Sequence, residues 1–152
     1  MDTLREISKY IKKIVSENSF IAGIVLFGSI AREEKHEKSD IDLLILWDNL
    51  YVDPDERYVY IYKVVSKYFP PSTSLTILDM KYDDFLKVEK ATPLFLNIVY
   101  DGIVLFDKYG KLKNFILKVK KELEKMGVKR EKIGKYYYWK LPKAGSKVEL
   151  KV

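Results

Sequence analysis

Two short polar motifs, each beside an apolar run, carry the groups in this sequence that could do chemistry. Gly28 and Ser29 directly follow the apolar run 21–27, and an Asp-Ile-Asp triplet at 40–42 leads into a second run. A glycine after a buried strand lets the backbone approach a phosphate closely, and free N–H groups at a helix start favour an anion. Residues 28–31 therefore form a candidate phosphate-binding turn. An ordinary strand-to-helix turn is the plainer alternative.

The second motif puts two carboxylates on one side of a strand. Because strand side chains alternate, Asp40 and Asp42 point to the same face, with Ile41 turned into the core. Two such carboxylates repel one another unless a cation lies between them. Mg²⁺ prefers oxygen ligands and usually takes one or two carboxylates together with phosphates and waters. Asp40 and Asp42 are therefore the candidate catalytic residues and magnesium ligands, and a capping role ahead of the strand is the alternative.

Together the two motifs match the requirements of nucleotidyl transfer. In that reaction a metal neutralises the triphosphate, orients the attacking oxygen and stabilises the departing pyrophosphate. A phosphate-binding turn and a carboxylate pair at neighbouring strand ends supply the two halves of such a site. We therefore expect a nucleoside triphosphate as substrate and Mg²⁺ as cofactor.

Alternating helices and strands must position these motifs. Apolar spacing predicts a helix over 3–18, and the runs 21–27 and 41–47 are too short for buried helices, which indicates buried strands. Asp53 followed by Pro54 predicts the start of a helix that extends to about residue 67. The remaining pattern predicts strands at 74–78 and 102–106, short helices within 82–90 and 92–100, a helix at about 112–126, and tail strands at 136–139 and 148–150.

The composition fits one globular α/β domain. The 152 residues include no cysteine, 47% are hydrophobic and 33% are charged, which excludes an intrinsically disordered chain and a disulfide scaffold. No apolar run approaches the roughly 20 residues needed to cross a bilayer, and no signal peptide is visible, so we expect a cytoplasmic protein. Heavy use of Lys, Glu, Ile and Tyr resembles the proteins of hot-growing organisms.

The positive charge is concentrated at the C-terminal end. Residues 1–110 carry 14 basic and 18 acidic side chains, whereas residues 111–152 carry 14 basic and 4 acidic ones. We therefore divide the chain into a domain over 1–127 and a basic appendage over 128–152 packed on it. The appendage could meet nucleic acid or an acidic partner, or stay solvated. Its aromatic run 136–139 could stack on bases or pack alternate rings on the sheet.

The sequence resembles the minimal nucleotidyltransferases of the DNA polymerase β superfamily. The Gly-Ser motif, the gap of residues 30–39 and the Asp-x-Asp motif carry this resemblance, and the stretches 92–112 and 135–150 are similar to the archaeal branch. The family implies a short mixed β-sheet with helices packed on one side, here with a small C-terminal β appendage. It also implies a set of site residues, with nucleotide contacts at Gly28, Ser29, Arg32 and Ser39 and magnesium ligation by Asp40 and Asp42.

One position departs from the family pattern. Polymerase β-like transferases normally carry a third carboxylate on the strand after the Asp-x-Asp strand, and the residue that aligns with it here is Ser74. Asp79 lies five residues further on and so has the opposite strand parity. It could serve only if the strand ended early and the chain turned back. Two ligands still suffice for one metal, but activation of an acceptor hydroxyl would be weakened.

The resemblance also implies a partner. Many minimal nucleotidyltransferases are antitoxins of HEPN-domain ribonuclease toxins, and some attach AMP to a tyrosine of the toxin. We therefore expect a magnesium-dependent transferase that moves a nucleoside monophosphate, preferentially AMP from ATP, to a hydroxyl of such a partner. The main alternative is a catalytically weak binding module with the same fold that neutralises its partner by complex formation. Transfer to a small molecule or to RNA is less favoured.

Overall fold

The computed structural model describes residues 3–34, 40–143 and 147–151. The helices are α1 Thr3–Glu17, α2 Gly28–Ala31, α3 Pro54–Ser66, α4 Tyr82–Phe85, α5 Pro93–Asp101 and α6 Leu112–Lys125. The strands are β1 Ile21–Phe27, β2 Ile41–Trp47, β3 Leu75–Lys81, β4 Ile103–Asp107, β5 Lys129–Ile133 and β6 Tyr136–Lys140. No helix within these described ranges is both long and apolar enough to cross a membrane.

The first four strands form one mixed sheet in the order β3-β2-β1-β4. Strand β1 is antiparallel to both β2 and β4, whereas β2 and β3 run parallel. A parallel pair needs a crossover connection, and α3 provides it between β2 and β3. In this register Phe27 lies opposite Asp42, and Asp42 lies beside Thr76 on the other neighbouring strand. The end of β1 and the start of β2 therefore meet at one edge of the sheet, which confirms the predicted α/β fold with a mixed sheet.

The helices cover both faces of this sheet. One face of β2, with Leu44 and Leu46, packs against α4, α5 and α6, and the other face, with Leu43 and Ile45, packs against α1 and α3. The structure thus differs from the expectation of helices on one side. The reason is that every residue of β1 is buried, so both faces of the central strands need an apolar layer.

Local signals account for the helices that were predicted. Ile7, Ile11 and Ile14 form the buried stripe of α1. At the start of α3, the Asp53 carboxylate accepts a hydrogen bond from the Asp55 N–H at 3.0 Å, and proline occupies the first helical position. These boundaries match the predicted ones because caps and apolar stripes depend on only a few consecutive residues.

The C-terminal end differs from its prediction in two respects. Strand β5 was not predicted, because its first four residues are all charged and it has no apolar face of its own, yet it pairs with β6 along its whole length. The predicted strand at 148–150 is wrong. An isolated bridge joins Glu149 to Lys90, and Val148 and Leu150 are buried in the core, where their backbones bond to Ala91 and Glu89.

The half-buried carboxylate of Asp107, the last residue of β4, links α4 to the start of α6. Asp107 accepts hydrogen bonds from the hydroxyl of Tyr82 at 2.7 Å and from the N–H groups of Gly110 and Leu112 at 3.0 and 2.9 Å. Tyr82 is only 1% exposed, and its burial and this bond to Asp107 raise the pKa of its hydroxyl. The hydroxyl is therefore a neutral donor at physiological pH.

Replacing Tyr82 with phenylalanine should lower the free energy of unfolding by about 1–2 kcal/mol, because Asp107 loses a buried donor. Tyr109→Phe is the matched control, since the Tyr109 hydroxyl also donates to a carboxylate, that of Asp48, but its ring is 47% exposed. We expect the control to stay within about 0.5 kcal/mol of the wild type. Urea unfolding of the three proteins measures both values, and equal losses in the two variants would contradict this role of Tyr82.

Candidate active site

The turn after β1 begins at Gly28, and any other residue there would force neighbouring atoms to move. Gly28 has φ +77°, in the region that L side chains rarely adopt, and it opens the one-turn helix α2. A Cβ placed on Gly28 would overlap the Oδ2 atom of Asp42 and lie 2.8 Å from its Cγ. The carboxylate of Asp42 therefore lies directly against the backbone of the turn. This contact brings the two predicted motifs together.

The turn itself is compact. The Arg32 N–H donates to the Gly28 carbonyl at 3.1 Å, and the Glu34 N–H donates to the Ser29 carbonyl at 2.8 Å. Ser29 is thus at the start of a closed turn, at the position expected for a phosphate contact. Ser39, the other predicted serine, lies outside the described residues.

Asp40 is held by two hydroxyl groups from the neighbouring strand. Ser74 Oγ donates a hydrogen bond to Asp40 Oδ1, and Thr76 Oγ1 donates to Asp40 Oδ2 at 3.3 Å. The N–H of Ile41 donates to the Ser74 carbonyl at 2.9 Å, which sets Ser74 beside Asp40. The side chains of Ser74 and Thr76 therefore orient the first carboxylate of the pair.

Asp42 lies in a less polar position. Its side chain is half-buried, and this burial is the main cause that raises the pKa of the Asp42 carboxyl above its usual value. The charge of Asp40 also raises this pKa, whereas the neighbouring Thr76 hydroxyl and the positive charge of Arg32 lower it. The carboxylate pair is therefore an acidic site whose mutual repulsion a cation would relieve.

Ser74 is the residue that the sequence analysis aligned with the third carboxylate of the family, and Thr76 lies two positions further along the same strand. Ser74 and Thr76 face the aspartate pair from β3, and that strand continues to Lys81 instead of ending early. Asp79 points to the opposite face of the sheet, where the Trp47 Nε1–H donates to its Oδ1 at 3.1 Å. Asp79 therefore does not join the site, and the expected departure from the family pattern is present in the structure.

The chemistry of the donor set suits a hydrated magnesium ion better than a fully protein-bound metal. No group of three or more His, Cys, Asp or Glu side chains in the described part of the chain could hold a metal ion. Asp40 and Asp42 supply two carboxylates, which is the number that Mg²⁺ usually takes when substrate phosphates and waters complete its shell. The residues present thus fit a magnesium site that is completed by a nucleotide.

Arg32 lies at the end of the turn and is paired with two acids. Its Nη1 donates to Asp101 Oδ2 at 3.1 Å and its Nε donates to Glu34 Oε2 at 3.2 Å. Asp101, at the end of α5, also accepts two hydrogen bonds from Arg130. The sequence analysis missed Asp101 and Arg130. The available signal was weak, since Arg130 is the only arginine among the many lysines of the C-terminal segment.

Comparisons with known proteins identify the family of this chain. The family model described as "Polymerase beta, Nucleotidyltransferase" matches residues 9–111. A protein of Methanocaldococcus jannaschii named "Putative protein adenylyltransferase MJ1217" is 50% identical over 48 residues, which are 30% of this chain and 49% of that protein. A second one from the same organism, "Putative protein adenylyltransferase MJ0128", is 43% identical over 58 residues, which are 36% of this chain and 56% of that protein. The chain thus spans about half the length of these two relatives.

A solved structure shares the fold. The crystal structure of a toxin-antitoxin with AMP-PNP overlays with a TM-score of 0.50 at 22% sequence identity, covering 78% of this chain and 87% of that one. The family match includes both motifs, the four strands of the mixed sheet and the helices between them. The resemblance to the minimal nucleotidyltransferases is thereby confirmed, and this chain belongs to the polymerase beta nucleotidyltransferase family.

Proposed function

We propose that this protein is a magnesium-dependent nucleotidyltransferase that moves AMP from ATP to a hydroxyl acceptor. The observation that carries the proposal is the contact of the Asp42 carboxylate with the backbone at Gly28. It joins a phosphate-binding turn to a carboxylate pair within one site. Transfer then forms a bond from the acceptor oxygen to the α-phosphorus, while the bond from that phosphorus to the pyrophosphate oxygen breaks and the proton of the acceptor hydroxyl passes to solvent.

Different residues of the site bind the nucleotide and the metal. The free N–H groups of the turn at Gly28 and Ser29 bind phosphate oxygens, and Arg32 adds positive charge beside them. Asp40 and Asp42 would hold Mg²⁺, which would supply charge neutralisation at the triphosphate. Ser74 and Thr76 orient Asp40 through their hydroxyl groups. Precise orientation of the carboxylates matters because electrostatic stabilisation depends on groups fixed in advance.

The acceptor that best fits such a site is a phenolic hydroxyl. Among the described residues, hydroxyl groups of Ser74 and Thr76 face the aspartate pair, and no third carboxylate joins it to take a proton from an alcohol as in the usual family arrangement. A tyrosine hydroxyl ionises near pH 10 and so needs less help than an aliphatic alcohol. A tyrosine on a protein partner is therefore the favoured acceptor.

We propose a HEPN-domain toxin as this partner, with the present chain as its antitoxin. The names of the archaeal relatives, which describe protein adenylyltransferases, support transfer to a protein. The solved toxin-antitoxin complex with AMP-PNP shares the fold and supports a nucleotide and a toxin as the two ligands.

The test of the proposal is incubation of the purified protein with Mg²⁺, each α-labelled nucleoside triphosphate in turn, and a lysate of the source organism. We expect label from ATP on a protein band, and omission of Mg²⁺ should abolish the labelling. Label on RNA instead would show that the acceptor is RNA and not a protein. No label with any nucleotide, from folded protein at the growth temperature of the organism, would contradict the proposed activity.

The second candidate function is neutralisation of the partner by complex formation without transfer. The specific observation in its favour is that Ser74, the residue aligned with the third carboxylate of the family, faces Asp40 with a hydroxyl group. The two functions predict different results for Asp42→Asn in cells that express the toxin. Transfer predicts that this variant loses protection, whereas complex formation predicts that protection stays at the wild-type level. Growth of the toxin-expressing cells measures the difference.

A further inference from the structure

The hairpin formed by β5 and β6 contacts the candidate site, although it lies outside the residues that match the family model. That match ends at residue 111, and the hairpin begins at Lys129. Alternate side chains of β6 face inward: Tyr137 and Trp139 are half-buried, whereas Tyr136 and Tyr138 are exposed at 70% and 40%. The inward face is therefore the part of the hairpin that can act on the site.

Arg130 of β5 binds Asp101, the carboxylate that also binds Arg32. Its two terminal nitrogens donate to the two carboxylate oxygens of Asp101, each at 2.8 Å. The side chains of Arg130 and Asp101 are 7% and 4% exposed. A second donor to Asp101 is Arg32 Nη1 at 3.1 Å. One buried carboxylate thus joins an arginine of the hairpin to the arginine at the end of the candidate phosphate-binding turn.

Tyr137 makes the second connection between hairpin and turn. Its ring lies under both guanidinium groups, 4.7 Å from that of Arg32 and 4.2 Å from that of Arg130. Its hydroxyl donates to Glu34 Oε1, and Lys132 Nζ lies 3.5 Å from the same oxygen. This hydroxyl is the main cause that lowers the pKa of Glu34 to about 2, with Arg32 and Lys132 contributing. Glu34 is therefore ionised over the whole physiological range.

Both contacts of the hairpin reach residues of the turn, since Asp101 binds Arg32 and Tyr137 binds Glu34. Arg32 and Glu34 follow α2, and their N–H groups close the turn on the carbonyls of Gly28 and Ser29. The two side chains that the hairpin contacts therefore belong to the residues whose backbone closes the turn. The hairpin has a separate anchor on α5, where the Trp139 Nε1–H donates to Asn97 Oδ1 at 2.9 Å. Loss of the Tyr137 hydroxyl alone should leave the hairpin docked.

We propose that the C-terminal hairpin positions the nucleotide-binding turn, with Tyr137 and Arg130 as positioning residues that act through Glu34 and Arg32. This inference rests on the proposed nucleotidyltransferase function. Its consequence is that a single hydroxyl on β6 sets the affinity for the nucleoside triphosphate without touching it. The chemical step, which depends on Asp40 and Asp42, should be affected less than nucleotide binding.

The test compares two tyrosines on the same strand. Tyr137→Phe removes the hydroxyl that donates to Glu34 but keeps the ring under the two guanidinium groups, whereas Tyr138→Phe removes a hydroxyl that donates to Glu131 within the hairpin. With AMP-PNP and Mg²⁺ as the calorimetric probe, we expect Tyr137→Phe to raise Kd about threefold and Tyr138→Phe to leave it unchanged. In the transfer assay, KM should rise with kcat nearly constant.

A double-mutant cycle distinguishes positioning through Glu34 from a general loosening of the fold. Glu34→Gln should also raise Kd about threefold, and the double variant Tyr137→Phe with Glu34→Gln should show about the same rise, not the product of the two. Independent, multiplying effects, or a Tyr137→Phe affinity equal to that of the wild type, would overturn the positioning role. If wild-type protein failed to bind the probe and to transfer label, the proposed function would fail as well.

Discussion

Replacing Asp42 with asparagine should reduce nucleotidyl transfer by roughly a thousandfold or more while leaving the fold intact. Metal and charge stabilisation contributes several kcal/mol to such a transition state, and the variant removes one of the two carboxylates that would hold the metal. The fold should tolerate the change, because burial already raises the pKa of Asp42 and so disfavours its charged form. Asparagine retains the shape without the charge. Label transfer and urea unfolding measure the two effects.

Asp79→Asn is the matched control for this prediction. Asp79 is an aspartate on the strand beside Asp42, but it faces the other side of the sheet and accepts a hydrogen bond from Trp47. An asparagine oxygen can still accept that bond, so transfer should remain within about twofold of the wild type. If Asp42→Asn kept transfer at the control level, the assignment of Asp42 as a metal ligand would be wrong.

Replacing Gly28 with alanine should abolish transfer and also destabilise the protein. Two effects add: a positive φ costs an L-residue roughly 1–2 kcal/mol, and the new Cβ would overlap the Asp42 carboxylate. Relief of that overlap requires either the turn or Asp42 to move, and each is part of the candidate site. We therefore expect loss of transfer together with a fall of about 2–4 kcal/mol in the free energy of unfolding.

Gly110→Ala separates the two effects. Gly110 has φ +71°, close to that of Gly28, but a Cβ there would meet no atom within 4 Å. It should therefore show only the backbone cost of roughly 1–2 kcal/mol and retain transfer. The difference in unfolding free energy between the two variants then reports the overlap with Asp42. Equal stability and equal transfer in both would contradict the close contact between the two motifs.

The sequence alone was sufficient for those features that depend on a few consecutive residues. Strands β1 and β2 have the predicted bounds, because their apolar runs end at glycine and at polar residues. The two motifs were recognisable for the same reason, since a Gly-Ser turn and an Asp-x-Asp strand start are local patterns. Strand parity also predicted that Asp79 would face away from the aspartate pair, and its bond to Trp47 agrees.

Pairing with neighbours decided where other elements end. Strand β3 was predicted over 74–78 but continues to Lys81, because its ladder with β2 extends through the pairs Leu46 with Met80 and Trp47 with Lys81. Strand β5 has a sequence that favours no structure by itself, and antiparallel pairing with β6 makes it a strand. Burial of both sheet faces likewise decided that helices pack on both sides.

Tertiary structure alone decided how the site is assembled. Arg32 meets Asp101 across 69 positions of sequence, and Asp101 meets Arg130 across 29. Tyr137 reaches Glu34 across 103 positions. No local pattern predicts such pairs, because a charged side chain near the surface finds its partner only when packing brings distant elements together. The sequence by itself determined the family, the two motifs and the central strands. The close contact of Gly28 with Asp42 and the link from the hairpin to the turn were decided by the folded chain.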